Sequence, residues 1–203
     1  TGASNLAKQI ENVRIFGVPV VVAINSFPTD TPGEVEAIRQ VALAAGARDA
    51  VVATHFTEGG DGAATLAQAV WDAAASGEAA FQLLYPDDAP LGEKILTIAT
   101  RIYGAAGIEL APAAKKALKL YEDLGMGHLP VCMAKTQYSL SHDANLKGAP
   151  SGFTVPIRDI RLSAGAGFIT PLVGEMRTMP GLPSRPGGEN IDVDAEGEVV
   201  GLF

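Results

Sequence analysis

Cysteine is nearly absent: Cys132 stands alone in 203 residues. A single thiol cannot staple a secreted scaffold and fits a reducing cytoplasm. Positive charge is short, with 15 Lys and Arg against 23 Asp and Glu and a formal net charge of −8. No basic stripe is available to displace counterions from phosphates, so no nucleic-acid partner is expected. Long hydrophobic runs are missing too. The longest clean one covers residues 18–24, where a spanning helix needs about 20, so no membrane partner is expected. His55, His128 and His142 are far apart with no ligand spacing, and no metal site is expected. The start, Thr1-Gly2-Ala3-Ser4-Asn5, runs straight into a helical pattern and does not read as a secretory leader. A first residue other than Met, and a first helix with no strand before it, are the features expected of a piece of a longer polypeptide.

What is present is apolar material. Hydrophobic residues are 47% and charged ones 19%, enough for a core and incompatible with disorder. The length allows one large domain or two small ones. Glycine and proline, 23 and 13 residues, are frequent but follow no Gly-X-Y period, so they read as turns in a loop-rich α/β protein.

Leu6, Ile10 and Val13 fall at i, i+4 and i+7 and predict a helix over 3–16, stopped by Gly17. The β-rich run at 18–24 shows no alternation, as expected of a strand buried on both faces. Thr31-Pro32-Gly33-Glu34 has the form of a capping box. It opens a helix with Val35, Ile38 and Ala42 inward. A second strand is expected at 49–54, and a helix over 63–76 with Leu66, Val70 and Ala74 inward. This α-β-α-β-α order builds part of a doubly wound sheet, although two strands alone do not complete one.

After Gly77 the character changes, and Tyr85-Pro86-Asp87-Asp88-Ala89-Pro90 reads as a linker or long turn. Helices are expected at 92–103 and 111–124, and strands at 129–134, 153–162 and 168–173. Pro156 demotes the second of these toward an edge. A hairpin is expected around Glu196-Gly197.

Ligands in open α/β sheets bind beyond the carboxyl ends of the strands. Two loops qualify, one with Phe27, Pro28, Thr29 and Asp30, the other with His55, Phe56 and Gly59-Gly60-Asp61-Gly62. A phenylalanine just past each strand end makes a pair able to clamp a flat heterocycle; singly, each ring reads as a lid over the local core. The glycine run carries acidic neighbours and no G-x-x-x-x-G-K-[ST] pattern, so it reads as a tight turn. Asn25 and Asp30 match the position, but not the spacing, of a base-reading Asn-Lys-x-Asp, and Asp30 reads first as loop geometry. Lys135, Thr136 and Gln137, with Tyr138 and Ser139, form a polar cluster that either holds an anion or nucleotide or is an ordinary turn. Cys132, inside an apolar run, is expected to pack.

At Val20-Val21-Val22-Ala23-Ile24-Asn25-Ser26-Phe27-Pro28-Thr29-Asp30-Thr31 the sequence resembles the formate–tetrahydrofolate ligases. The likeness continues through Leu129-Pro130-Val131-Cys132-Met133-Ala134-Lys135-Thr136-Gln137-Tyr138-Ser139, Arg161-Leu162-Ser163-Ala164-Gly165-Ala166-Gly167, Thr178-Met179-Pro180-Gly181-Leu182-Pro183, Ile191-Asp192-Val193-Asp194 and Gly201-Leu202-Phe203. It implies an α/β fold: residues 1–88 as part of a doubly wound, mostly parallel, P-loop NTPase-like sheet, then a smaller α+β domain over 89–203. It implies ATP with Mg²⁺, formate and tetrahydrofolate as substrates, 10-formyltetrahydrofolate as product, and formyl phosphate between them. It places the phosphate-cradling loop, with its Lys and Mg²⁺-binding hydroxyl, and the arginine that steadies formyl phosphate on an amino-terminal portion outside this chain. The chain by itself is then expected to be inactive, and no catalytic residue is assigned in it. Phe27, Pro28 and Phe56 occupy the positions that sandwich the folate pterin. Phe56 stands where tryptophan is common, and Glu58 where a lysine is usual. The resemblance further implies a cytoplasmic homotetramer. A competing reading from a different class is a non-catalytic carboxy-terminal module for oligomerisation or ligand binding.

Overall fold

The computed structural model describes residues 2–134, 138–174 and 183–201. Helix α1 (Gly2–Arg14) packs Leu6 and Ile10 into a cluster with Val20, Ile24, Ala42, Ala47 and Ala50. Val13, expected on that face, is instead 43% exposed, and Asn12 is buried. The reason is that α1 is covered on two sides. Asn5, Lys8 and Asn12 share a second face at helical spacing. On it Asn5 Nδ2 donates to Ser139 Oγ (2.8 Å) and the Gly148 carbonyl (2.9 Å), and Lys8 Nζ donates to the Arg101 carbonyl (3.2 Å). Neither polar atom of the Asn12 amide has a hydrogen-bond partner among the described residues.

Strands β1 (Val21–Asn25) and β2 (Asp49–Ala53) pair in parallel, from Val21↔Asp49 to Asn25↔Ala53. Between them runs α2 (Pro32–Ala44). Its capping box forms as the sequence predicts: Thr31 Oγ1 accepts from Glu34 N–H (3.3 Å), and Glu34 Oε2 accepts from Thr31 N–H (2.8 Å). Donation to its carboxylate from the Thr31 N–H, and then from the Thr31 hydroxyl (2.8 Å), holds Glu34 below its ordinary pKa. Ile38 departs from the expected inner face and is largely exposed, whereas Val35 and Ala42 pack inward.

A one-turn helix α3 (His55–Glu58) and a 3₁₀ turn (Asp61–Ala63) lead into α4 (Ala64–Ala75), which packs on β2. The inner residue of α4 is Ala73, while Val70 and Ala74, expected inward, are exposed beside Trp71. Because α4 lies over β2 more than over β1, Ala23 is left open. The expectation that the first strand is buried on both faces therefore fails for the described residues.

A second cluster gathers Leu91, Ile95 and Ala99, Ala114, Val155, Ile157 and Ile160, and Ile169 and Val173. The first three lie on α5 (Leu91–Thr97) and its widened π-type continuation (Ile98–Ile102). Strand β3 (Gly107–Leu110), too short to read from sequence, precedes α6 (Pro112–Asp123). Strand β4 (Thr154–Ser163) is central in the order β3-β4-β5, parallel to β3 and antiparallel to β5 (Phe168–Val173). This corrects the edge assignment made from Pro156. Its carbonyl accepts from Gly174 N–H, just past the last rung with β5, so the missing N–H falls beyond that ladder. Residues 130–134 run along the other side of β5, where Cys132 N–H donates to the Ile169 carbonyl (2.8 Å) and Ala134 N–H to the Pro171 carbonyl (2.9 Å). Val131 and Met133 turn to the core and Cys132 turns outward, so the thiol is exposed rather than packed. The hairpin forms as predicted, from β6 (Asp192–Val193) and β7 (Val199–Val200).

Lys94, unnoticed in the sequence, is fully buried on α5. Its ammonium donates to the carbonyls of Asp87 (2.6 Å), Gly127 (2.9 Å) and Leu129 (3.2 Å) and lies 5.7 Å from the Tyr85 ring centroid. Burial lowers its pKa, and the nearby Asp87 and Asp88 oppose that shift. All three donors are used, which makes Lys94 a pin between the 85–88 turn and the start of the 130–134 segment.

Candidate strand-end site

Parallel pairing of β1 with β2 brings both strands' carboxyl ends to one edge of the molecule, and both candidate loops start there. Ser26 N–H donates to the Ala53 carbonyl (3.2 Å), stitching the first loop to the end of β2. The Phe27-Pro28-Thr29-Asp30 turn closes with Asp30 N–H on the Phe27 carbonyl (2.9 Å). In return, Asp30 Oδ2 accepts from Phe27 N–H (2.8 Å). Asp30 therefore holds the loop, and Thr31 starts α2 immediately after it. Asn25 is the last residue of β1, exposed at the same end.

The second loop is braced differently. Thr54 N–H donates to the Gly62 carbonyl (3.0 Å) and Thr54 Oγ1 donates to Glu58 Oε2 (2.5 Å). A Cβ on Gly62 would come within 2.7 Å of the Thr54 carbonyl carbon and Oγ1. Gly62 is thus required by close backbone approach, the physical basis of the tight-turn reading. Glu58 reaches back to Thr54, so its carboxylate serves the loop.

The rings carried by these loops are exposed: Phe27 by 55% and Phe56 by 85%. Neither is a lid on the local core, which removes the bland reading of each. Close ring pairs among the described residues are Phe16–Phe81 and His142–Phe153, and neither loop ring takes part. The structure thus gathers Asn25, Phe27, Pro28, Asp30 and Phe56 at one end of the sheet. Lys135, Thr136 and Gln137 lie outside the described residues, as do residues 178–182 of the matching segment and Leu202 and Phe203. Sequence reasoning missed Thr54 and Glu58 as braces; their i, i+4 spacing across α3 was the available signal.

A cavity of about 470 Å³ opens at the opposite, amino end of these strands. Its guanidinium groups are engaged: Arg48 pairs with Glu78 (2.6 Å) and Arg14 donates to the Ala45 carbonyl (3.3 Å). Among the described residues no group of three or more His, Cys, Asp or Glu stands close enough to hold a metal ion. No helix among them is long and apolar enough to cross a membrane.

The chain is thus an α/β protein with two exposed rings beyond the ends of adjacent parallel strands. The family model for formate–tetrahydrofolate ligase matches residues 1–203, and the chain belongs to that family. It is 57% identical over 201 residues to the formate–tetrahydrofolate ligase of Saccharopolyspora erythraea, covering 99% of this chain and 35% of that protein. Against the ligase of Roseiflexus castenholzii the identity is 56% over 201 residues, 99% of this chain and 36% of the relative. Against the human cytoplasmic C-1-tetrahydrofolate synthase it is 56% over 203 residues, 100% of this chain and 22% of the relative. The chain thus spans between about a fifth and somewhat over a third of the length of these curated relatives.

Proposed function

We propose that the parent protein joins formate to tetrahydrofolate at the expense of ATP, and that this chain carries its folate-orienting edge. A formate oxygen attacks the γ-phosphorus of ATP, ADP leaves, and formyl phosphate results. The folate N10 then attacks the formyl carbon, phosphate departs, and N10 loses its proton. Catalysis of the first step is chiefly positioning and charge stabilisation on the transferred group. The phosphate cradle and Mg²⁺ hydroxyl that supply it are assigned to the part of the parent outside this chain, as is the arginine for formyl phosphate.

Within the chain, Phe27 and Pro28 from one loop and Phe56 from the other take the two faces of the pterin. The observation that carries this reading is that both rings are exposed beyond the carboxyl ends of paired strands. Asn25 and Asp30 flank the same edge and, with Lys135, Thr136 and Gln137, are the nucleotide-side candidates. We further infer that residues 1–88 belong to a P-loop NTPase-like wound sheet and 89–203 to a smaller α+β domain, in a cytoplasmic homotetramer.

The test is stoichiometric ATP consumption by the parent in the presence of both formate and tetrahydrofolate, with none when either is omitted. The isolated chain should show no turnover. Formate- and folate-dependent ATP consumption by the isolated chain would overturn the division of labour.

A further inference from the structure

The hairpin of β6 and β7 is well specified within itself. Val193 pairs with Val199 and Asp192 with Val200. Asp194 Oδ1 accepts from Glu196 N–H (3.0 Å) and Glu198 N–H (2.9 Å), and Gly197 takes φ 86°, which its turn requires. Yet every residue from 183 to 201 is exposed. Pairing register and strand alternation put Ile191, Val193 and Val199 on one face and Asp192, Asp194, Glu198 and Val200 on the other. The first face is apolar and open to water, with Ile191 44%, Val193 59% and Val199 54% exposed. An isolated two-stranded hairpin is at best marginally stable in water, so an amphipathic one implies a surface that covers its apolar side.

We propose that this hairpin is a docking arm, and that its occupant is the remainder of the same polypeptide: an apolar patch rimmed by Lys or Arg on the part of the parent outside residues 1–203. Three observations select that occupant. The family match runs through residue 203 while the chain covers only 35% of the Saccharopolyspora ligase, so most of such a parent is left to supply the patch. Three side chains fall far short of the roughly 1,000 Å² that an interface between separate copies needs. A tethered partner, by contrast, is presented at an effective concentration in roughly the millimolar range. Finally, residues 190–201 carry Asp192, Asp194, Glu196 and Glu198 and no Lys or Arg, a run that a rim of Lys or Arg complements. The proposal rests on the parent being longer than this chain and is independent of the folate edge.

The test is zero-length carbodiimide coupling of the full-length parent, prepared as a mixture of ¹⁴N- and ¹⁵N-labelled copies and read by peptide mass spectrometry. The expected result is amide links from Asp192, Glu196 or Glu198 to lysines outside residues 1–203, within isotopically uniform pairs, and falling at least tenfold in Val193→Asp. Links between differently labelled copies, links confined to lysines within residues 2–201, or the absence of hairpin links would each overturn the proposal. Because no folate is present, its failure leaves the folate reading untouched.

Discussion

Replacing Phe56 with alanine in the parent protein separates a ligand contact from a packing contact. The ring is 85% exposed, so its removal should change folding stability by no more than about 0.5 kcal/mol. Its cost should appear on folate binding. A fully buried aromatic hides about 150–250 Å². Covering one ring face hides roughly a third of that, ~60 Å², or about 1.5 kcal/mol at ~25 cal/mol per Å². Stacking geometry adds about 0.5–1.5 kcal/mol. The sum, about 2–3 kcal/mol, predicts tetrahydrofolate affinity some ~30–150-fold weaker by calorimetry, with ATP affinity unchanged. Phe27→Ala should behave alike, with an added small stability loss because that ring is half-covered. If both rings grip one heterocycle, the double variant should depart from additivity by at least about 0.5 kcal/mol. A folate effect below threefold, or equal losses for folate and ATP, would refute the sandwich.

Gly62→Ala should destabilise the second loop by about 1–3 kcal/mol, because the new methyl meets Thr54 backbone, and should weaken folate while sparing ATP; equal thermal stability of the two forms would contradict the close approach. Lys94→Met leaves the carbonyls of Asp87, Gly127 and Leu129 without their donor, and urea unfolding should show a loss of about 2–4 kcal/mol; a loss under about 1 kcal/mol would deny the pin. Burial, and then the Cys132 thiol, raise Tyr103 to about 12. The folded pKa exceeds the unfolded value near 10, so this stability is complete below about pH 10 and lost as pH climbs through about 12. At about 1.4 kcal/mol per pKa unit the loss is roughly 2–3 kcal/mol, and Tyr103→Phe should remove it from the pH profile. Absorbance at 295 nm should show one of the four tyrosines ionising late.

Local chemistry was legible wherever it is local in origin. The capping box at Thr31 and Glu34 and the turn at Glu196-Gly197 involve partners within a few residues, and the sequence specifies them directly. Faces set by distant partners were read less well. Val13 and Asn12 exchange places because α1 is covered on a second side by residues 93 to 143 positions away, and Val70 and Ala74 point outward because α4 lies over β2 more than over β1. Pro156 reads as an edge residue only if every residue of a strand needs both neighbours; here its nitrogen falls past the final rung of β5. The candidate edge was visible as two phenylalanines after two strands. Its braces were harder to see: the i, i+4 spacing of Thr54 and Glu58 has meaning only if 55–58 is helical, and Gly62 signals nothing until the loop closes on Thr54.

Apart from the Ser26 stitch to Ala53, the ties that stiffen both strand-end loops lie within each loop: Asp30 on Phe27 across three positions, Thr54 on Glu58 across four, and Thr54 on Gly62 across eight. None of these ties passes through the ring at position 56. The scaffold is therefore indifferent to which aromatic it displays, and swapping benzyl for indole there is a change of cargo without a change of carriage. With Trp71 the chain's one existing tryptophan, Phe56→Trp would give a second emitter placed at the proposed folate edge, where occupancy would become a fluorescence signal.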